Sequence, residues 1–163
     1  MALVAASSSS SAQSLPKNYD VFINFRGEDT HFNFTSHLHD AFCRKHIRTY
    51  IDYQLPKGDE ISPALLQAID DSYVSVVVFS QNYASSRWCL NELAHILHCK
   101  RVQGQIVIPI FYKVDPSHVR NQTDTYKQAF ERNFKGRQDE IKMWKQSLNE
   151  AVNLAGYDSH TFG

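Results

Sequence analysis

The apolar run Val76-Val77-Val78-Phe79, inside the β-rich segment Tyr73–Phe79, constrains this chain more than any other feature. A strand wetted on one face alternates apolar with polar residues, so an unbroken β-branched run belongs in a sheet covered on both faces, the usual setting of parallel strands. Similar runs occupy Tyr19–Phe25, Arg48–Ile51 and Ile106–Tyr112, with helix-period segments between them. Alternating β and α with connections of this length implies right-handed βαβ crossovers, and hence an α/β fold with a doubly wound parallel sheet and helices on both faces.

The helical segments can be read individually. Phe34, Leu38, Ala41 and Phe42 share one face of a helix predicted from about Thr30 to Lys45, with His37, His39 and Arg44 on the other. Ser62 caps a second helix, Pro63 fits its first position, Ile61 staples against Leu66, and Leu65 and Ile69 face inward. A third helix, near Arg87 to Val102, turns Cys89, Leu93, Ile96 and Leu97 to the core and stops at Gly104. Beyond Pro116, the spacing of Tyr126 with Phe130, and after Gly136 of Ile141, Trp144, Leu148 and Val152, predicts further helix, with a last short strand near Gly156–Ser159. Pro109 lacks a ladder donor, which suggests an edge strand or a bulge.

Composition bounds the function. The 163 residues suit one domain of roughly 100–200 residues. At 42% hydrophobic and 21% charged the body should fold, whereas Met1–Lys17, with serines from Ser7 to Ser11 and no apolar periodicity, reads as a disordered tail. That leaves residues 18–160 as the domain and 161–163 as its end or the start of a linker. Lys plus Arg and Asp plus Glu are both 17, so no global field attracts nucleic acid or an anionic membrane. No apolar run approaches the ~20 residues that span a bilayer, and Ala2–Ala6 is too short for a signal-peptide core. Cys43, Cys89 and Cys99, an odd number without a Cys-x-x-Cys pair, make a poor disulfide framework and a poor zinc site. A reducing, cytoplasmic setting fits, with no metal expected.

Ligands of open α/β sheets bind outside the carboxyl ends of the strands, which directs attention to the loops Arg26–Asp29, Asp52–Glu60 and Ser80–Trp88. The first has neither Gly-x-Gly-x-x-Gly nor Gly-Lys-Ser/Thr, which disfavours a Rossmann dehydrogenase or a P-loop enzyme. Strand three ends Phe79-Ser80-Gln81, without the aspartate of a response-regulator receiver.

Five ordered strings then share one resemblance. Tyr-Asp-Val-Phe-Ile-Asn-Phe-Arg-Gly-Glu-Asp-Thr at Tyr19–Thr30, Phe-Thr-Ser-His-Leu at Phe34–Leu38, Ile-Arg-Thr-Tyr-Ile-Asp at Ile47–Asp52, Tyr-Ala-Ser-Ser-Arg-Trp-Cys-Leu-Asn-Glu-Leu at Tyr83–Leu93 and Pro-Ile-Phe-Tyr-Lys-Val-Asp-Pro-Ser at Pro109–Ser117 resemble a plant-type TIR (Toll/interleukin-1 receptor) domain. The resemblance covers about Tyr19 to Tyr157. It implies a flavodoxin-like sheet of five parallel strands in order 2-1-3-4-5, usually at the amino end of plant immune receptors. It also implies self-association with other TIR domains and, in assemblies such as tetramers, cleavage of NAD or NADP at the nicotinamide–ribose bond, giving nucleotide signals for defence and cell death. NAD(P) is then a substrate, no cofactor is expected, and nucleic acid and membrane are not expected partners.

The family motif places its catalytic glutamate on Glu92, four residues after Trp88 and so on the same helical face. One carboxylate suffices, because nicotinamide leaves as a neutral molecule from a cationic pyridinium, whereas ordinary glycosidases generally need a pair. Without the resemblance, Glu92 reads as a solvated helical residue, Trp88 as core and Ser86 as a helix cap. With it, Phe25, Arg26 and Gly27 after strand one, Asp52, Ser86 and Trp88 flank the substrate, Arg26 being a phosphate or ribose partner or else a surface ion pair. Asp52–Glu60 corresponds to a gating loop, in which Lys57 either contacts phosphate or is merely solvated. Ser36 and His37 match a self-association surface. Departures fall at His46 and Asp124, where the family usually carries glycine; losing a glycine helix stop costs on the order of 1 kcal/mol. The competing function is a catalytically silent interaction or adaptor module.

Overall fold

The apolar run Val76–Phe79 lies in the central strand of the computed structural model, which describes residues 15–52, 61–134, 136–154 and 157–158. Strand β1 is Tyr19–Asn24, β2 Thr49–Tyr50, β3 Ser72–Phe79, β4 Ile106–Phe111 and β5 Tyr157–Asp158. All pairings are parallel and run in the order β2-β1-β3-β4-β5, with β1 lying along β3 from Tyr19↔Ser72 to Asn24↔Val77 and β3 along β4 from Val74↔Ile106 to Phe79↔Phe111. The outer pairings are two residues long. Pro109 pairs with Val77 of β3, and among the described residues β5 meets β4 only at Ile110 and Phe111, so the proline lies outside that outer pairing.

The pleat divides the core. Phe22, Val77, Phe79, Val107 and Phe111 join the larger cluster, while Val21, Ile23, Val76 and Val78 form a smaller one on the opposite face. Helices α3 (Pro63–Asp70), α4 (Arg87–Gln103), α5 (Pro116–Asn121), α6 (Thr125–Asn133) and α7 (Gln138–Val152) supply the larger cluster, with Trp144 and Tyr126 completely buried. Phe34, Leu38 and Phe42, from the segment before α2 and α2 itself (Ser36–Arg44), lean on the smaller one. The fold is therefore α/β, a parallel sheet flanked by helices.

Local signals explain the helix ends. The Ser62 hydroxyl accepts from the Leu65 amide at 3.3 Å with Pro63 next, and Leu65 and Ile69 are buried as their spacing predicts. Gly104 takes the left-handed conformation that closes α4, φ 71°. Asp70, ending α3, ties it to α4: its Oδ1 lies 2.8 Å from His95 Nε2 and accepts from Cys99 Sγ at 3.1 Å.

The first predicted helix needs correction. Instead of one α-helix from Thr30, a short α1 (Gly27–Thr30) leads through a π-helical turn, His31–Thr35, into α2. Thr30 and Thr35, both fully buried, share a hydrogen bond of 2.5 Å between their hydroxyls. The i→i+5 bonding pattern of a π turn brings residues five apart together, so each satisfies a polar group that the core would otherwise strand.

Both glycine departures carry strain. His46 has φ 61° after α2, and Asp124 has φ 55° with ψ −128°, a region left almost wholly to glycine. His46→Gly and Asp124→Gly are each expected to stabilise the fold by about 0.5–1 kcal/mol, with the larger gain at Asp124, read as a higher urea midpoint at unchanged slope.

Candidate functional site

The carboxyl edge of the sheet gathers the ends of β1 and β3 with the first turns of α4. The Ser86 hydroxyl accepts from the Cys89 amide at 3.1 Å and so caps α4, which answers one of its two readings. Cys89 in turn donates its thiol to the Phe25 carbonyl at 3.3 Å, fastening α4 to the segment after β1. One turn further along α4 is Glu92, only 5% exposed and therefore no solvated helical residue.

Glu92 Oε1 accepts from Asn24 Nδ2 at 2.8 Å, and the Trp88 indole also donates to this carboxyl group. The Tyr83 hydroxyl, buried in the 3₁₀ turn Tyr83–Ser85, donates to Asn24 Oδ1 at 2.5 Å and lies 3.2 Å from the Cys89 carbonyl. Burial pushes the Glu92 acid up to about 8; the Asn24 and Trp88 hydrogen bonds oppose that rise, and the charge of Asp52 adds to it. Asp52, half-buried just past β2, therefore lies close enough to Glu92 for its charge to act there. Trp88 is itself partly buried against the larger core, so it packs on the interior as well as holding Glu92.

Arg26 makes ion pairs with its own acidic neighbours, the second of its two readings. Its guanidinium meets Asp29 Oδ1 at 2.9 Å and Glu28 Oε2 at 3.4 Å. Asp29 also accepts from Ser80 Oγ at 2.6 Å, the Asn82 amide at 2.9 Å and Asn82 Nδ2 at 3.4 Å, and so joins the loops after β1 and β3. Gly27 opens α1, where an added Cβ would meet only Phe25 Cε2 at 3.8 Å, an ordinary contact. Phe25 is half-buried on the smaller cluster.

Phe25, Arg26, Asp52, Ser86, Trp88 and Glu92 thus lie along one edge, while Ser36 and His37 stand on α2, His37 exposed and Ser36 half-buried. Lys57 and residues 53–60 lie outside the described residues. Sequence reasoning missed Asn24, Asp29 and Tyr83; an amide inside the apolar strand Val21-Phe22-Ile23-Asn24 was the visible sign of the first. Among the described residues, the one grouping with metal-ligand chemistry is Asp70, His95 and Cys99, whose donor atoms lie within 4.8 Å of one another. It sits before β3, at the opposite edge, and its atoms serve each other as hydrogen-bond partners. No helix among the described residues is long and apolar enough to cross a membrane, and all three cysteines are free thiols.

Comparison with known proteins bears on this edge. The family model described as TIR domain matches residues 18–162. The chain is 53% identical over 157 residues to disease resistance protein RPV1 of Vitis rotundifolia, covering 93% of the chain and 11% of that relative. It is 51% identical over 157 residues to TMV resistance protein N of Nicotiana glutinosa, covering 94% of the chain and 13% of the relative. Only a small part of either relative's length is therefore spanned. Among solved structures, the TIR domains of the activated Roq1 resistosome, which directly recognises the pathogen effector XopQ, superpose with a TM-score of 0.80 at 44% identity, covering 86% of this chain and 87% of that one.

Proposed function

This chain belongs to the TIR domain family, and we propose on that premise that it hydrolyses the nicotinamide–ribose bond of NAD or NADP when several copies assemble, in the cytoplasm, as a plant immune signal promoting defence and cell death. The observation that carries the reading is a buried Glu92, oriented by Asn24 and Trp88 at the carboxyl edge of a parallel sheet wound in the flavodoxin-like order. The likeness to the Roq1 resistosome TIR domains supports assembly, and Ser36 with His37 on α2 is the surface assigned to it.

The chemistry follows from charge. The nicotinamide ring of the substrate is cationic, and its arrival beside Glu92 favours the carboxylate, the proton passing to solvent. The C1′–N bond then breaks with its electron pair leaving on nicotinamide, which departs neutral. The ribose is left as an oxocarbenium ion that the Glu92 carboxylate stabilises in a water-poor site. Water adds to C1′ and loses a proton, giving the ADP-ribose product. Asp52, Ser86 and Trp88 line the ribose and ring, Phe25 and Gly27 leave room beside β1, and Arg26 reaches phosphate on exchanging Asp29 and Glu28 for it. Lys57 adds a second cation from the gating loop. NAD(P) is consumed as substrate, with neither cofactor nor metal in the reaction.

Nicotinamide release should rise more steeply than protein concentration, and Glu92→Ala should abolish it. Release that is absent at every concentration, or equal in the variant, would sink the reading. The engagement of Arg26 by its own acidic neighbours favours a second reading, an adaptor without turnover. Signalling kept by Glu92→Ala and lost by His37→Ala would support that one.

A further inference from the structure

Asn24 is fully buried at the end of a strand whose preceding three residues are apolar. An amide in that position is costly unless all of its polar atoms are used. Here they are: Nδ2 donates to Glu92 Oε1 at 2.8 Å and lies 3.4 Å from the Cys89 carbonyl, and Oδ1 accepts from Tyr83.

The partners dictate which way the amide points. A Glu92 carboxylate only accepts, so Nδ2 faces it and Oδ1 turns to the Tyr83 hydroxyl. The Cys89 carbonyl, 3.4 Å from Nδ2, also only accepts, so turning the amide over would set Oδ1 against that carbonyl and leave one Nδ2 hydrogen without an acceptor. Protonated on its other oxygen, Glu92 still accepts at Oε1, so this one orientation serves both forms, and the bond is stronger to the carboxylate.

We propose that Asn24 is the positioning residue of the Glu92 site, its amide aimed by Tyr83 and the Cys89 carbonyl so that it fixes the carboxyl group at the pocket edge in either protonation state. The inference rests on Glu92 being the catalytic carboxylate. It supplies what the reaction demands, because the same side chain must be stable as an acid in the empty domain and as a carboxylate beside a cationic ring.

The titratable groups facing Glu92 among the described residues are Tyr83 on the 3₁₀ turn, Cys89 on α4, Tyr50 on β2 and Asp52 after it. Burial pushes Tyr83, Cys89 and Tyr50 up, which keeps them neutral over the range in which Glu92 titrates. Asp52 acts on Glu92 only through its charge. The proton gained or lost in this cluster near neutral pH is that of Glu92.

The test follows the Glu92 side-chain carboxyl by carbon-13 NMR across pH in the whole chain, beside the pH profile of nicotinamide release by concentrated protein. Asn24→Leu keeps the branched shape and removes all three hydrogen bonds; Asn24→Ser keeps a polar group but not the reach, and covers the case in which the leucine variant fails to fold. The wild-type midpoint is expected near 8. Either variant should move it up by about one unit, because the donor to the carboxylate is gone, and the rise of turnover with pH should move with it. A midpoint unchanged in a folded variant overturns the inference even if nicotinamide is released normally. A midpoint that moves in a protein releasing no nicotinamide leaves the hold of Asn24 on Glu92 standing and removes the proposed activity instead.

Discussion

Glu92→Gln is expected to lower nicotinamide release by at least about 10³-fold while making the domain more heat-stable. Both effects come from one buried carboxyl group. Glutamine keeps an oxygen that accepts from Asn24 but cannot carry the negative charge that the oxocarbenium ion requires. Stability changes through linkage. Burial raises this acid from an ordinary 4.5 to about 8, so between those values the folded protein holds a proton that the unfolded chain has released. The stability that the neutral acid contributes is fully present below about 4.5 and is lost as pH rises toward 8, a change on the order of 5 kcal/mol. Glutamine does not titrate, so the variant escapes that loss. The gap in Tm between variant and wild type should widen from pH 5 to pH 8 and then level, reaching roughly 10–20 °C. Calorimetry at several pH values checks it, and a gap independent of pH would show that Glu92 titrates normally.

The second large effect falls on a residue without a proposed part in the chemistry. Asp29→Ala is expected to cost about 3 kcal/mol, a Tm lower by roughly 8 °C. Asp29 is mostly buried and gathers Arg26, Ser80 and both nitrogens of Asn82 on two carboxylate oxygens. Alanine would strand the buried Ser80 hydroxyl and leave a guanidinium with only the exposed Glu28 of these two acids. Asp29→Asn should cost less, since an amide retains part of the hydrogen bonding while losing the ion pair. Equal melting of Asp29→Ala and wild type would show that the two loops are held by other contacts.

What the sequence disclosed, and what it hid, follows the range of the interactions. The β-branched run at Val76–Phe79 and the inward stripes of α3, α4 and α7 are set by solvent exclusion along one element, and pattern alone recovers them. Ser62 and Gly104 act within a few residues of themselves and were legible for the same reason. The π turn at His31–Thr35 was not, because one added residue barely disturbs a spacing of three to four; the mark it leaves is a pair of threonines five apart. Glu92 was found through a motif, yet its depth of burial and its hold on Asn24 were not, since they depend on strands brought together from distant parts of the chain. Arg26 was read as open to phosphate or ion pairing, and only the folded loops show which acids hold it.

Those distances have a consequence for how such a pocket comes into being. Asn24 and Glu92 are 68 residues apart in the chain, and Tyr83 is 59 from Asn24. Closing so long a loop costs entropy that no local contact returns, so β1 must already lie beside β3 before the amide and the carboxyl can meet. A chain in which α4 is present but β1 and β3 have not yet paired holds the pieces of the pocket without the pocket. The competence of this edge is thus a late product of folding, withheld until the sheet is assembled around its central strand.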